Sequence, residues 1–543
     1  MHRKGSTSPV SEISLYRNGF IYSTVDPYAT AMIVENGQVA WIGGEAAAES
    51  LKDSRMTVID LDGALITPAF VDSHVHVTET GQALTGLDLS KAESAEAVLE
   101  AVAAHAETND RVVGHGWDES RWAGHRVPTP QELERASGGK EVYLTRVDAH
   151  SGIANESLQN RLGLSADADR LTGEQHVAAR QSVNELSASG LQLLQRKALE
   201  HFASRGYGAV VENAAPHISG RADLESLAAL ANAEQDSLPT VYSLWGELAR
   251  DEAHARELVG SFGPGVVRGL AGDLRIDGSL GSRTAALNAP YADAAAESGQ
   301  LYLSADDAAA HLVACTLAGI PGGFHVIGER GLDTVVEALE RAAAVVGADR
   351  LRGAGHRLEH VEMASDAHIQ ALAAFGITVS VQPLFDQHWG GSGGMYAQRV
   401  GEQRAETMNR FGTMLAAGIP VTFGSDSPVT EANPWRTVAA AFSLNHAAAR
   451  LSAKAAFIAH TRAGYRAIRE ASPFLGQLGP SAPATFAVWE PWELSVQTPD
   501  ERVSAWSTDT RAGTPLLPTL DSGSPQCLRT VKDGNILFDQ LSN

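Results

Sequence analysis

Between residues 208 and 426 the chain repeats one unit, a short apolar run followed by an alanine-rich amphipathic stretch, and that alternation leaves few folds open to it. The apolar runs fall at 208–212, 240–244, 322–327, 356–360, 377–381 and 421–426, with helical periodicity at 222–234, 305–318, 332–346 and 364–375 between them. Runs this short and this apolar suit strands buried on both faces of a parallel sheet, and the longer stretches suit the crossover helices that cover it. The expected class is therefore α/β, and repetition over this length points to a (β/α)8 TIM barrel. A doubly wound open sheet is the alternative, but no Gly-x-Gly-x-x-Gly opens a helix anywhere in the chain.

The two ends have another texture. Residues 13–44 alternate apolar and polar side chains around Asn18-Gly19 and Asn36-Gly37, and 484–489 and 528–538 have the same character, with a turn at Asp533-Gly534. One small β domain built from both ends, 1–66 with 471–543, is expected beside a barrel of 67–470. Residues 82–205 exceed what one βα unit needs. They read as an insertion on the active-site side, with polar strand ends at Gly114-His-Gly-Trp-Asp-Glu119 and Tyr143-Leu-Thr-Arg-Val-Asp-Ala-His150.

The 543 residues carry 42 Lys and Arg against 65 Asp and Glu, a formal charge of −23. Such a surface repels phosphate backbones and anionic headgroups, so nucleic acid and membranes are poor partners and a small molecule is the expected one. The two cysteines, Cys315 and Cys527, make neither a disulfide framework nor a thiolate metal site. No apolar segment follows the basic residues of Met1-His-Arg-Lys4, and no run of 18 apolar residues occurs. A soluble, cytoplasmic protein is expected, with a homodimer as the base-rate oligomer.

The chemistry is signalled first at Ala69-Phe-Val-Asp-Ser-His-Val-His76, where strand alternation aims His74 and His76 to the same side. His325, His360 and Asp426 each close a separate expected strand, the rim on which barrel active sites are built. Four imidazoles and a carboxylate make a mixed nitrogen and oxygen site for a divalent ion, with zinc expected and manganese or iron as alternatives. An ion held in this way acidifies water and polarises a carbonyl. Asp426, beside the ion, is then placed to take the water proton and deliver it to a leaving nitrogen.

The ordered blocks Pro68-Ala-Phe-Val-Asp-Ser-His-Val-His76, Asp277-Gly-Ser-Leu-Gly-Ser-Arg-Thr-Ala285, His325-Val-Ile-Gly-Glu-Arg330, Arg357-Leu-Glu-His360 and Gly424-Ser-Asp-Ser-Pro428 resemble the YtcJ-like branch of the amidohydrolase superfamily, which includes N-substituted formamide deformylases. The resemblance runs over residues 13 to 538. It implies a distorted (β/α)8 barrel with a β-sandwich from both chain ends, metal ligands at His74, His76, His325 and His360, and a metal-touching proton shuttle at Asp426. In two-metal relatives a carboxylated lysine stands four residues before the Asp of the Asp-Gly pair, and here that position is Asp273. One catalytic ion is therefore expected, with Asp273 as a weak ligand or a surface turn residue.

Trp117, Asp118, Arg146, Asp148 and His150 in the insertion, Asp277 and Arg283 after the fourth barrel strand, and Gln382, Asp386 and His388 beyond the seventh are the candidates for shaping the pocket. His150 and Arg283 are the candidates for binding a carbonyl oxygen or tetrahedral intermediate. Glu212 is read as structural, and Phe385, Trp389 and Trp435 as core unless they meet an apolar leaving group. Without a Gly-x-Ser-x-Gly elbow or a P-loop, serine hydrolase and nucleotide chemistry are set aside. The expected reaction is metal-dependent hydrolysis of a non-peptide carbon–nitrogen bond in a small amide, formamide or cyclic amide. The alternatives are a deaminase, carbon–oxygen hydrolase or isomerase using the same site, or an inactive metal-holding scaffold.

Overall fold

A computed structural model of the chain describes residues 13–165, 168–183, 186–495, 515–521 and 523–541. The N-terminal residues read above for an export signal lie outside the described residues, as does part of the stretch assigned to the C-terminal β domain.

The repeated unit folds as its pattern dictates. Strands β1 (Phe70–Val75), β2 (Tyr207–Ala214), β3 (Thr240–Trp245) and β4 (Val267–Gly269) pair in parallel as one four-stranded sheet in the order β4-β3-β2-β1. Strands β5 (Gly323–Val326), β6 (Arg357–His360), β7 (Thr378–Val381) and β8 (Val421–Phe423) form a second parallel sheet in the order β5-β6-β7-β8. The edges of the two sheets meet. A parallel bridge from Leu270 to Gly322 joins the β4 side to β5, and another from Val75 to Ser427 joins β1 to the segment after β8.

The crossover helices obey local rules. Ala305–Ala318 opens with a capping box at Ser304 and Asp307 and closes on Gly319 in the left-handed region, φ 71°. Glu329–Val346 buries Leu332, Val335, Ala338, Leu339 and Ala342, spaced three and four apart, against the cluster holding Phe324, Val326 and Leu358 of β5 and β6. Each large apolar side chain so buried contributes about 1.5–3 kcal/mol.

Both chain ends contribute to the surrounding β structure. A five-stranded sheet joins Phe20–Ile21 and Leu65–Pro68 to Phe486–Trp489, Cys527–Lys532 and Asn535–Asp539, and a four-stranded sheet is built from Ile13–Arg17, Ala31–Glu35, Gln38–Gly43 and Met56–Asp60. The two share one apolar cluster, with Tyr16 edge-on to Phe486. At both Asn36-Gly37 and Asp533-Gly534 each residue has positive φ, as the tight turn between right-twisted strands requires. The extra segment after β1 carries its own five-stranded sheet, from Leu87–Asp88 through Val112–Trp117, Val142–Arg146 and Ser151–Ala154 to Leu171–Thr172. Among the described residues no helix is long and apolar enough to cross a membrane.

Candidate metal centre

His74 lies on β1, and His76 follows it as the N-cap of the helix Val77–Thr85. This strand end is stitched to the end of β8. Asp72 Oδ1 accepts hydrogen bonds from the Ser425 N–H at 2.8 Å and the His74 N–H at 3.3 Å, and the Asp426 N–H donates to the His74 carbonyl at 2.8 Å. Gly424 permits the approach, because a Cβ there would stand 2.5 Å from the His74 nitrogen. Asp426 and His360 are both held in the left-handed region, with φ 55° and 71°, conformations costly for side-chain-bearing residues and frequent at functional sites.

His74, His76, His325, His360 and Asp426 are all buried, and the fold gathers them. His74 Nε2 and His76 Nε2 lie 3.4 and 3.3 Å from Asp426 Oδ1. The His360 ring lies 5.1 Å from His74 and 4.4 Å from His325 between centroids. Asp273 corrects the expectation of a turn residue at the surface: it is buried, with Oδ2 3.2 Å from His76 Nε2 and Oδ1 3.6 and 3.7 Å from His325 Nδ1 and His74 Nε2. Ligand atoms of His74, His76 and Asp426, and of His74, Asp273 and His360, converge closely enough to share an ion.

The imidazoles are oriented from behind. His74 Nδ1 meets Glu359 Oε2 at 2.8 Å, and Glu359 is held by Arg357 Nε at 2.5 Å, while the same guanidinium donates to the Ser73 carbonyl. His360 Nδ1 meets Gln382 Oε1 at 2.8 Å. Both contacts fix the ring with Nε2 facing the centre. Burial disfavours charge on His76, yet its contacts with Asp273 and Asp426 carry its pKa up to about 10. Burial raises the Asp273 carboxyl, but His325, His76 and His74 outweigh it and hold it well below the usual range. The pair of carboxylates therefore draws positive charge onto this point.

The other candidates separate. His150 reaches the centre, its ring 5.1 Å from His325 and lining the same cavity. Asp148 also lines it while accepting from Ser279 and Ser282 hydroxyls at 2.7 and 2.8 Å. Gln382 serves His360 rather than open space. Asp277 is taken up by the N–H groups of Ala286, Ile327 and Gly328 at 2.8, 2.9 and 2.8 Å, which fixes the loop after β5. Arg283 turns away from the cavity to pair with Asp293 at 2.7 Å. Trp117 is core, donating to the Leu144 carbonyl at 3.0 Å. Arg146 is bound by Asp118, Glu119 and Asp148 at 2.7, 2.8 and 3.0 Å. Asp118 also accepts from Trp389 Nε1 at 3.2 Å, and with His388 it lines an outer cleft. Asp386 is spent on Asn445, and Trp435 packs in the core on Phe70 and Phe457. Phe385 stacks near His360 and packs with Trp389, so both form an apolar wall of an adjoining cavity that shares His150, His325, His360 and Asp426. Glu212 accepts from the Val77 N–H at 2.7 Å, and burial pushes its pKa up to about 7.

Glu359 and Arg357 were missed as supports although they stand inside a motif beside His360; strand alternation places them together on one face. Arg180, His217 and Arg275, which also line the central cavity, carried no motif signal.

Imidazoles and carboxylates gathered at the ends of parallel strands define a metal-site α/β hydrolase. The profile of the Amidohydrolase family matches residues 57–538, and the chain belongs to that family, a hydrolytic enzyme acting on carbon–nitrogen bonds. Its relatives include YtcJ of Bacillus subtilis, 26% identical over 78% of this chain and 82% of that protein. The N-substituted formamide deformylase of Arthrobacter pascens is 24% identical over 76% of this chain and 80% of its own length. An uncharacterized metal-dependent hydrolase from Pyrococcus furiosus shares the fold, with a TM-score of 0.67 and 24% identity over 88% of this chain and 99% of that one. The resemblance drawn from the motifs is thus borne out.

Proposed function

We propose that this enzyme hydrolyses a non-peptide carbon–nitrogen bond of a small amide, formamide or cyclic amide with the help of one divalent ion, zinc before manganese or iron. The two edge-joined parallel sheets are read as a distorted (β/α)8 barrel over 67–470, and the β structure from 1–66 and 471–543 as its sandwich. One observation carries the metal reading. His74 Nε2, Asp273 Oδ1 and Asp426 Oδ1 are buried at one point without any hydrogen-bond partner in the described structure, an arrangement whose desolvation cost an ion would offset. The donor set suits a divalent ion held by His74, His76, His360 and Asp426, with Asp273, at the position that the motif resemblance gives to a lysine in two-metal relatives, supplying the further carboxylate. His325 completes the cluster through Asp273. When bound, such an ion acidifies water and polarises a carbonyl oxygen.

The chain supplies the rest. Asp426, at the edge of the cavity, accepts the proton of the attacking water and passes it to the leaving nitrogen. The His150 imidazole offers an N–H to the oxygen that gains charge. Phe385 and Trp389 form an apolar wall that limits water around the reacting bond. The formamide deformylase relative supports a formamide as the first substrate to try. A panel of small amides, following amine, ammonia and carboxylate release separately, tests the reaction. Amine and carboxylate should appear together, and Asp426→Asn should lower kcat at least about a hundredfold with an unchanged circular dichroism spectrum. Near-normal turnover by that variant would remove Asp426 from the proton path.

A further inference from the structure

Arg275 occupies an unusual position. Asp273 and Arg275 are two apart on an extended segment that runs alongside β5, where the His325 N–H donates to the Leu274 carbonyl at 3.0 Å and the Ile276 N–H donates to the His325 carbonyl at 2.9 Å. Alternation sends Leu274 and Ile276 into the apolar core and Asp273 and Arg275 to the opposite side, into the cavity that holds the metal centre. Elsewhere, buried guanidinium groups are matched by carboxylates: Arg146 by Asp118, Glu119 and Asp148, Arg357 by Glu359, Arg399 by Glu119 and Asp293, Arg180 by Glu79. Arg275 has no hydrogen bond or ion pair among the described residues. Its guanidinium carbon lies 4.7 Å from the centroid of the Tyr302 ring, which supports the side chain without satisfying its N–H groups. The guanidinium is part-buried and opens on the cavity with no carboxylate against it, so a ligand that supplies the anion gains a charge-assisted pair there.

We propose that Arg275 is a specificity determinant that binds a carboxylate of the substrate, so that the favoured substrates are small amides carrying a carboxylate on the part of the molecule remote from the cleaved bond. This rests on the amide-hydrolase reading of the same centre. The planar fork of Arg275 matches a carboxylate with two parallel N–H···O bonds. The charge balance of the cavity agrees. A divalent ion offsets the charges of Asp273 and Asp426, Arg180 is offset by Glu79 and Asp148 by Arg146, which leaves Arg275 as the unmatched charge. His217, on the same wall, is driven towards its neutral form by burial and then by Arg275, so it adds a hydrogen-bonding group and no competing charge.

The test uses matched formamides of one chain length that end in a carboxylate, a neutral amide, an ammonium, a sulfonate or a phosphonate. Metal-loaded wild-type enzyme should prefer the carboxylate. Arg275→Gln should lower the carboxylate-to-neutral ratio of kcat/KM by about tenfold to a hundredfold. Arg275→Lys should restore part of that ratio, and Arg275→Glu should turn preference towards the ammonium compound, which a merely structural role would not do. Calorimetry with succinate on the metal-loaded full chain gives a readout independent of turnover, with binding in wild type and binding at least about tenfold weaker in Arg275→Gln. An unchanged ratio in the Gln and Glu variants, equal succinate binding by wild type and Arg275→Gln, or a preference for sulfonate or phosphonate would overturn the proposal. If no amide is hydrolysed while succinate binding still depends on Arg275, the hydrolase reading fails and the carboxylate site stands.

Discussion

Glu359 touches no substrate in this scheme, yet the centre leans on it. Its carboxylate fixes the His74 ring at 2.8 Å and is itself held by Arg357, so removing its charge loosens a ligand and leaves a buried guanidinium less well matched. Carboxylates behind metal-binding histidines are worth about 10- to 100-fold in metal affinity, and Glu359→Gln should weaken ion binding by that amount in a competition titration against a chromogenic chelator. Unchanged affinity would mean that packing alone holds the ring. Asp273 shows the same logic from the other side. This short acid reaches His76 and His325 directly, and the residue type alone could not say whether it faced the interior, because that depends on the register beside β5.

At the level of strands and helices, the sequence was informative where periodicity is strong. The helix expected at 305–318 is found as Ala305–Ala318, and the strand expected at 377–381 as Thr378–Val381, because apolar spacing and end signals coincide there. The clustered histidines were readable for a related reason: each stands at or next to the end of a strand in a compact motif. Asp277 and Arg283 stand in an equally recognisable motif but serve the loop, Asp277 by accepting three backbone N–H groups and Arg283 by pairing with Asp293, and a motif does not reveal which way its polar groups turn. Arg275 was invisible because nothing local marks an arginine as unpaired. The close approach of β1 and β8 gives a prediction of its own. Gly424→Ala would place a methyl 2.5 Å from the His74 nitrogen and force the two strand ends apart. It should destabilise the fold by about 1–3 kcal/mol in urea unfolding and reduce the metal retained after gel filtration. Full stability and full metal content together would show that the strands have room to spare.

The molecule as a whole should respond to acid through histidines buried in neutral form. His311 Nε2–H donates to the Leu270 carbonyl at 2.9 Å while its Nδ1 accepts from the Ala249 N–H at 3.0 Å. His356 Nδ1 accepts from the Gly322 N–H at 3.0 Å and its Nε2 meets the Thr316 hydroxyl at 2.8 Å. Protonation would set a donor against a donor, and burial pushes the two pKa values down to about 4 and about 3. The unfolded value is about 6.5, so this stabilisation is complete above that pH and is lost as pH falls towards the folded values, by up to about 1.4 kcal/mol per pH unit per proton. Between pH 7.5 and 5, His356→Gln, whose amide can make both hydrogen bonds, should lose less stability in urea than wild type does. Equal losses would mean that His356 takes up its proton at the same pH in the folded and unfolded states.

The hydrolase chemistry proposed for this enzyme depends on an ion lying among His74, His76, His360 and Asp426. Anomalous difference maps collected across the zinc, manganese and iron edges, from crystals grown without chelator, locate such an ion and identify it. The expected result is one peak per chain, about 2.0–2.2 Å from histidine nitrogens and a carboxylate oxygen of that set, and loss of the peak in His74→Ala. A centre that stays without a peak after soaking in each metal, or a peak bound elsewhere on the chain, would contradict it.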